Sequence, residues 1–154
     1  MFRRGSEDRE IEILLVHPGG PFFTNKDAGS WTMPKGEAAP GEDLLARARI
    51  EFEEEIGIAP DAAAHWIAVG SVKQKGGKTV HAWAFEGDLP KDFQLRSNLF
   101  RLEWPPLSGR ITMFPEVDRA AFFPIEEALD KINPAQRSLV ARLLAIVTTA
   151  NPAA

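Results

Sequence analysis

Gly36 to Ile58 reads GEAAPGEDLLARARIEFEEEIGI, and the register of its glutamates decides how the rest is read. Glu51, Glu54 and Glu55 stand at i, i+3 and i+4, so a helix places all three on one face. Carboxylates that close repel one another unless a cation sits among them. Hard oxygen donors of this kind suit Mg²⁺, or Mn²⁺ as a substitute. The stretch therefore points to metal-assisted chemistry, and a phosphate is the natural reactant.

Working outward, the spacing predicts a helix over 41–56, with Leu45, Phe52 and Ile56 on its apolar side and Ala48 at the border. Gly57 fits its C-terminal stop. Upstream, Glu10 to His17 (EIEILLVH) reads as a buried strand. A Gly- and Pro-rich loop then leads to a short strand, Trp31 to Met33, that Pro34 ends. Downstream, Trp66 to Gln74 and Thr79 to Phe85 form a hairpin about the KGGK turn. Asp88 to Asp118, with prolines at 90, 105, 106 and 115, is expected to be a long irregular loop. A strand over 119–123, a helix over 125–132 and a longer helix over 134–149 follow, the last with Leu139, Leu143, Ile146 and Val147 as its apolar stripe. Residues 1–150 read as one α/β domain, a mixed sheet sandwiched between helices, and 151–154 as a frayed tail.

Composition narrows the function classes. The chain has 154 residues, 44% apolar and 26% charged, as a single soluble globular domain would. No apolar run approaches the ~20 residues that span a bilayer. The start, MFRRGSEDRE, carries no hydrophobic segment after its arginines, so a cytoplasmic setting is expected. The absence of cysteine excludes disulfides and thiolate chemistry. A net charge of −4 argues against a broad nucleic-acid surface, while a small anionic substrate stays compatible because a metal inverts the local field.

The stretch 36–58 resembles the signature of the Nudix hydrolases: Gly, five residues, Glu, seven residues, then Arg-Glu-apolar-any-Glu-Glu-any-Gly-apolar. Gly36, Glu42, Glu51, Phe52, Glu54, Glu55, Gly57 and Ile58 match in register. The resemblance implies a Nudix-type α/β/α sandwich. Against that pattern only Met1 to Arg4 stand where a full first strand is usual, so the strand looks truncated. Either the natural start lies upstream or the element is short, and the open edge then invites a homodimer. The resemblance further implies metal ligation by Glu51, Glu54 and Glu55 with the Gly36 carbonyl, and a supporting role for Glu42. Glu116 is the expected additional ligand or base from the loop before the late strand, with Glu103 as a second candidate. The implied activity is hydrolysis of a pyrophosphate linkage in a nucleotide or other diphosphate.

One position departs from the signature: Ile50 stands where the family has the arginine that orients the glutamates. Arg47, i, i+4 to Glu51 and i, i+7 to Glu54, is expected to replace that cation in part. The lead-in Pro34-Lys35-Gly36 resembles branches acting on dinucleoside polyphosphates and diphosphoinositol phosphates. Lys35 is a candidate phosphate ligand, and Lys75, with Lys73 and Lys78, a candidate extension of the phosphate path. Among four tryptophans, Trp104 in the long segment is the expected substrate contact, while Trp83, inside an apolar strand, reads as core. Two alternatives stay open. One is an impaired or non-catalytic Nudix-fold binding module, for which Ile50 speaks. The other is a nucleoside triphosphate sanitiser or ADP-ribose pyrophosphatase.

Overall fold

The computed structural model describes residues 1–5 and 10–149. Its centre is β2 (Ile11–Pro18), a strand with apolar residues at nearly every position. Strands of this kind need cover on both faces. Ile11, Ile13 and Leu15 turn to one side, where Trp31, Phe123, Ile132, Leu139, Val140 and Leu143 complete the larger core. Leu14 and Val16 turn to the other, against Phe52, Ile56, Phe85 and Val117. The period-2 alternation of a single strand thus builds both interfaces of an α/β sandwich.

β2 pairs antiparallel with the short β1 (Phe2–Arg4) on one side and with β7 (Val117–Pro124) on the other. The β2–β7 register slips at His17/Pro18. Among the described residues the extended ladders are all antiparallel; parallel pairing occurs in the isolated bridges Phe2↔Glu86 and Trp31↔Ile132. The expected strand over 31–33 is reduced to such bridges, with Thr32 joined to Val16. The expected hairpin is present as β3 (Ile67–Lys73) and β4 (Thr79–Ala84), with a bulge between Ala68 and Gly70.

Helix α1 (Leu44–Ile56) begins three residues later than the spacing suggested. Gly41 has φ +83°, outside helical space, and the Asp43 side chain caps the amides of Leu45 and Ala46 at 2.9 Å. Gly57 ends the helix as expected, at φ +88° with its amide on the Glu53 carbonyl. A side chain there would also meet Arg96 at 2.7 Å. Helices α2 (Ile125–Lys131) and α3 (Arg137–Thr149) cover the opposite face, and Pro134–Gln136 forms a 3₁₀ turn where the sequence suggested continuous helix. No helix among the described residues is long and apolar enough to cross a membrane. The expected frayed tail, 151–154, lies outside the described residues.

The segment 88–118 is not the irregular loop its prolines suggested. It contains a hairpin, β5 (Leu99–Glu103) and β6 (Ile111–Pro115), paired from Leu99↔Pro115 to Glu103↔Ile111. Pro105 and Pro106 lie in its turn and Pro115 closes its second strand, so no proline interrupts the ladder. Its inner residues Phe100 and Phe114 pack close to Gly20. Its base is tied to the end of α1. The amide of Arg96 donates to the Ile56 carbonyl at 3.4 Å and that of Asn98 to the Glu54 carbonyl at 3.2 Å.

Candidate active site

The helix capped by Asp43 carries the acidic face. Glu51 and Glu55 are each only 8% exposed, Glu54 is half-buried and Glu53 points to solvent. Buried carboxylates need partners, and each has found one. Arg47 Nη2 contacts Oε1 of Glu51 and reaches Oε2 of Glu54 at 3.2 Å. The Lys35 amide donates to Oε2 of Glu55 at 3.1 Å. Burial pushes the Glu55 carboxyl up to about 7, the Lys35 amide and ammonium oppose that, and the charges of Glu51 and Glu116 add to it. The bond to Glu51 raises the Arg47 guanidinium further above its ordinary value.

Gly36 lies against this face so closely that a methyl group on it would overlap the Glu51 carboxylate. Gly36→Ala should therefore push Glu51 out of place. With Glu51 as the metal ligand that the sequence leads us to expect, catalytic turnover should fall about 10–100-fold, the usual cost of disturbing the shell around such a ligand. Steady-state kinetics beside a thermal melt checks this; an unchanged kcat would remove Gly36 from the site.

A cleft of about 520 Å³ opens beside this face. Lys35, Gly36, Leu44, Arg47 and Glu51 wall one side, and Gln74, Lys78, His81 and Trp83 the other. Lys78 pairs with Glu37 across its mouth. Glu42 accepts from the Ala39 amide at 2.8 Å, which pins the turn leading into the helix.

The other candidates sit further out. Glu116 is exposed and influences Glu55 electrostatically. Its amide donates to Asn98 and its carbonyl accepts from Gly19, so it is fixed at the same end of the helix. Glu103 accepts from the Gly109 amide at the hairpin tip, 2.7 Å. Trp104 packs edge-on against Phe22, ring centroids 5.5 Å apart, and does not line the cleft. Lys75 is exposed in the turn; Lys78 lines the cleft in its stead. Trp83, read from the sequence as core, is half-buried and forms part of the cleft wall, with His81 stacked near it at 6.5 Å. The signal was available: Thr79, His81 and Trp83 alternate along β4, a polar–aromatic face that a fully buried strand would lack.

The profile of the NUDIX domain family matches residues 2–143. The chain belongs to the Nudix family. Its signature is that of the family at every fixed position but 50. Its fold is similar to that of the C. elegans Ap4A hydrolase in a binary complex, at 22% identity over 96% of this chain and 94% of that one, TM-score 0.67. A MutT protein from Methanosarcina mazei Go1 matches at 20% identity over 95% and 90%, TM-score 0.56. The Nudix domain of Shewanella oneidensis NrtR, complexed with ADP ribose, matches at 15% over 96% and 83%, TM-score 0.58. At such identities these likenesses speak for the fold.

The Nudix donor set fits a hard divalent cation in kind: buried carboxylate oxygens crowded on one face, with a glycine backbone pressed against them. Among the described residues no three acidic or histidine side chains stand close enough together, as placed here, to hold an ion. Arg47 spans Glu51 and Glu54, and Glu55 turns toward the Lys35 amide.

Proposed function

We propose that this Nudix protein hydrolyses the pyrophosphate linkage of nucleoside diphosphate derivatives in a Mg²⁺-dependent reaction, with dinucleoside polyphosphates as the favoured substrates. The observation that carries the reading is the cleft bordered on one side by the carboxylate face and furnished with Lys35 and Lys78. Glu51, Glu54 and Glu55 would hold the metal with the Gly36 carbonyl, and Glu116 would join as a further ligand or base. A divalent ion bound there neutralises phosphate oxygens and lowers the pKa of water. Within the chain, Lys35 and Lys78 bind phosphate oxygens as point charges. A helix carboxylate accepts the proton of the attacking water as the bridging P–O bond breaks. Trp83 offers a ring face for a nucleobase. The Pro34-Lys35-Gly36 lead-in and the likeness to an Ap4A hydrolase support the substrate class.

A second reading, an ADP-ribose ligand, is favoured by the likeness to the NrtR domain. A panel separates the two: dinucleoside polyphosphates, ADP-ribose, nucleoside triphosphates, sugar nucleotides and diphosphoinositol phosphates, with products identified by mass spectrometry. Mononucleotide release from the dinucleoside polyphosphate should be fastest. If purified, folded protein with Mg²⁺ cleaves none of them, the hydrolase reading is wrong.

A further inference from the structure

The three carboxylates of the acidic face share a feature that the spacing of the box does not supply. The protein holds each of them by one oxygen only. Arg47 uses Oε1 of Glu51 and Oε2 of Glu54; the Lys35 amide uses Oε2 of Glu55. Among the described residues, the second oxygen of each has no protein partner. None of these oxygens is sealed away either, since the buried side-chain N or O atom left unpartnered is Nε of Arg47.

Two of the three are aimed by the same nitrogen. Arg47 lies one turn before Glu51 and two turns before Glu54, which sets it between them on the helix surface. Position 50 is the place the Nudix box gives its arginine, and Ile50 there is 44% exposed and can form no ion pair. We infer that Arg47 is the positioning residue of this metal site. It does from one turn earlier what the box arginine does from position 50, fixing Glu51 and Glu54 by one oxygen so that the other stays directed to an incoming divalent ion. The inference rests on the metal-dependent reading above. The unpaired Nε gives the guanidinium a further donor with which to follow either carboxylate as it turns. A lone buried N–H is costly, so this spare donor also marks a group not yet in its best-satisfied arrangement.

Metal uptake without substrate tests the role directly. Mn²⁺ and Mg²⁺ are titrated by calorimetry into the full chain, its Arg47→Ala and Arg47→Met variants, and the Arg47→Ala/Ile50→Arg double variant. Arg47→Met keeps the aliphatic stem, so it controls for packing loss, and a thermal melt of each metal-free protein reports folding. The metal Kd should rise about tenfold or more in both single variants, as it does when groups that orient metal ligands are removed. Arginine at 50 is i, i+4 to Glu54, so the double variant should recover at least half of that loss on a logarithmic scale. A Kd within twofold of the parent in Arg47→Met, or a double variant no better than Arg47→Ala, overturns the inference. Absence of any metal uptake by the parent overturns it together with the hydrolase reading. Loosened uptake in a chain that cleaves no diphosphate leaves the inference standing and removes only the activity.

Discussion

Replacing Glu54 by glutamine should lower kcat about 10²–10⁴-fold while leaving the fold intact. The side chain is half-buried and 38% exposed, so the amide fits without new burial. The hydrogen bond from Arg47 needs only an oxygen acceptor, which glutamine retains. What disappears is the negative charge and basicity of the oxygen that nothing in the protein engages. A merely structural glutamate would show the opposite pattern, a melting shift with turnover preserved. The variant also guards the assay, because a contaminating hydrolase would be indifferent to it. Activity of Glu54→Gln within threefold of the parent, measured on the best substrate of the panel, would move the chemistry away from this helix.

The second large effect concerns Glu55. Its carboxyl is held up near 7 chiefly by burial, against an ordinary value of 4.5. The folded protein therefore keeps a proton that the unfolded chain has released between those values. Stability falls as pH rises through that window, and the full cost is present above about 7. A shift of this size is worth roughly 3 kcal/mol. Glu55→Gln should thus stabilise the metal-free protein at pH 8 by up to about 3 kcal/mol and by little at pH 4. Other acids pull the opposite way, since Lys131 lowers Asp27 and Lys78 lowers Glu37. The comparison is accordingly the difference between variant and parent at each pH, taken from urea unfolding with chelator present. Metal uptake gives the mirror image: a proton must leave Glu55, so affinity should climb with pH up to about 7 in the parent. If the variant and parent differ equally at pH 4 and pH 8, Glu55 does not titrate as argued.

What the sequence could disclose follows from the range of the forces involved. The acidic face is a local matter: glutamates three and four apart share a helix surface whatever surrounds it, and so α1, Gly57 and the Arg47 pairing were readable in advance. The hairpin 99–115 was not, because strand pairing is non-local and five-residue strands carry too little alternation to outweigh four nearby prolines. The prolines were real turn signals, and only their placement between strands was hidden. Trp83 escaped for a related reason. Which face of β4 meets the loop 34–38 depends on how the hairpin docks, which no residue within the hairpin determines. Lys78 rather than Lys75 reaches the cleft because Gly76 and Gly77, at φ +92° and +84°, reverse the chain between them. Trp104 was drawn away by Phe22, a partner 82 positions earlier in the chain.

The amides of Arg96 and Asn98 occupy carbonyls at the end of α1, whereas the opposite end of that hairpin, at Leu107, stands 98% exposed. The two ends therefore differ in what they tolerate. Insertions, tags or a grafted epitope at 106–109 can lengthen the projection with the glutamates left in place. Adding or deleting a single residue beside Arg96 or Asn98 would tug on the helix terminus itself. An engineer wishing to retune this protein has one site for free variation and one where chain length is fixed.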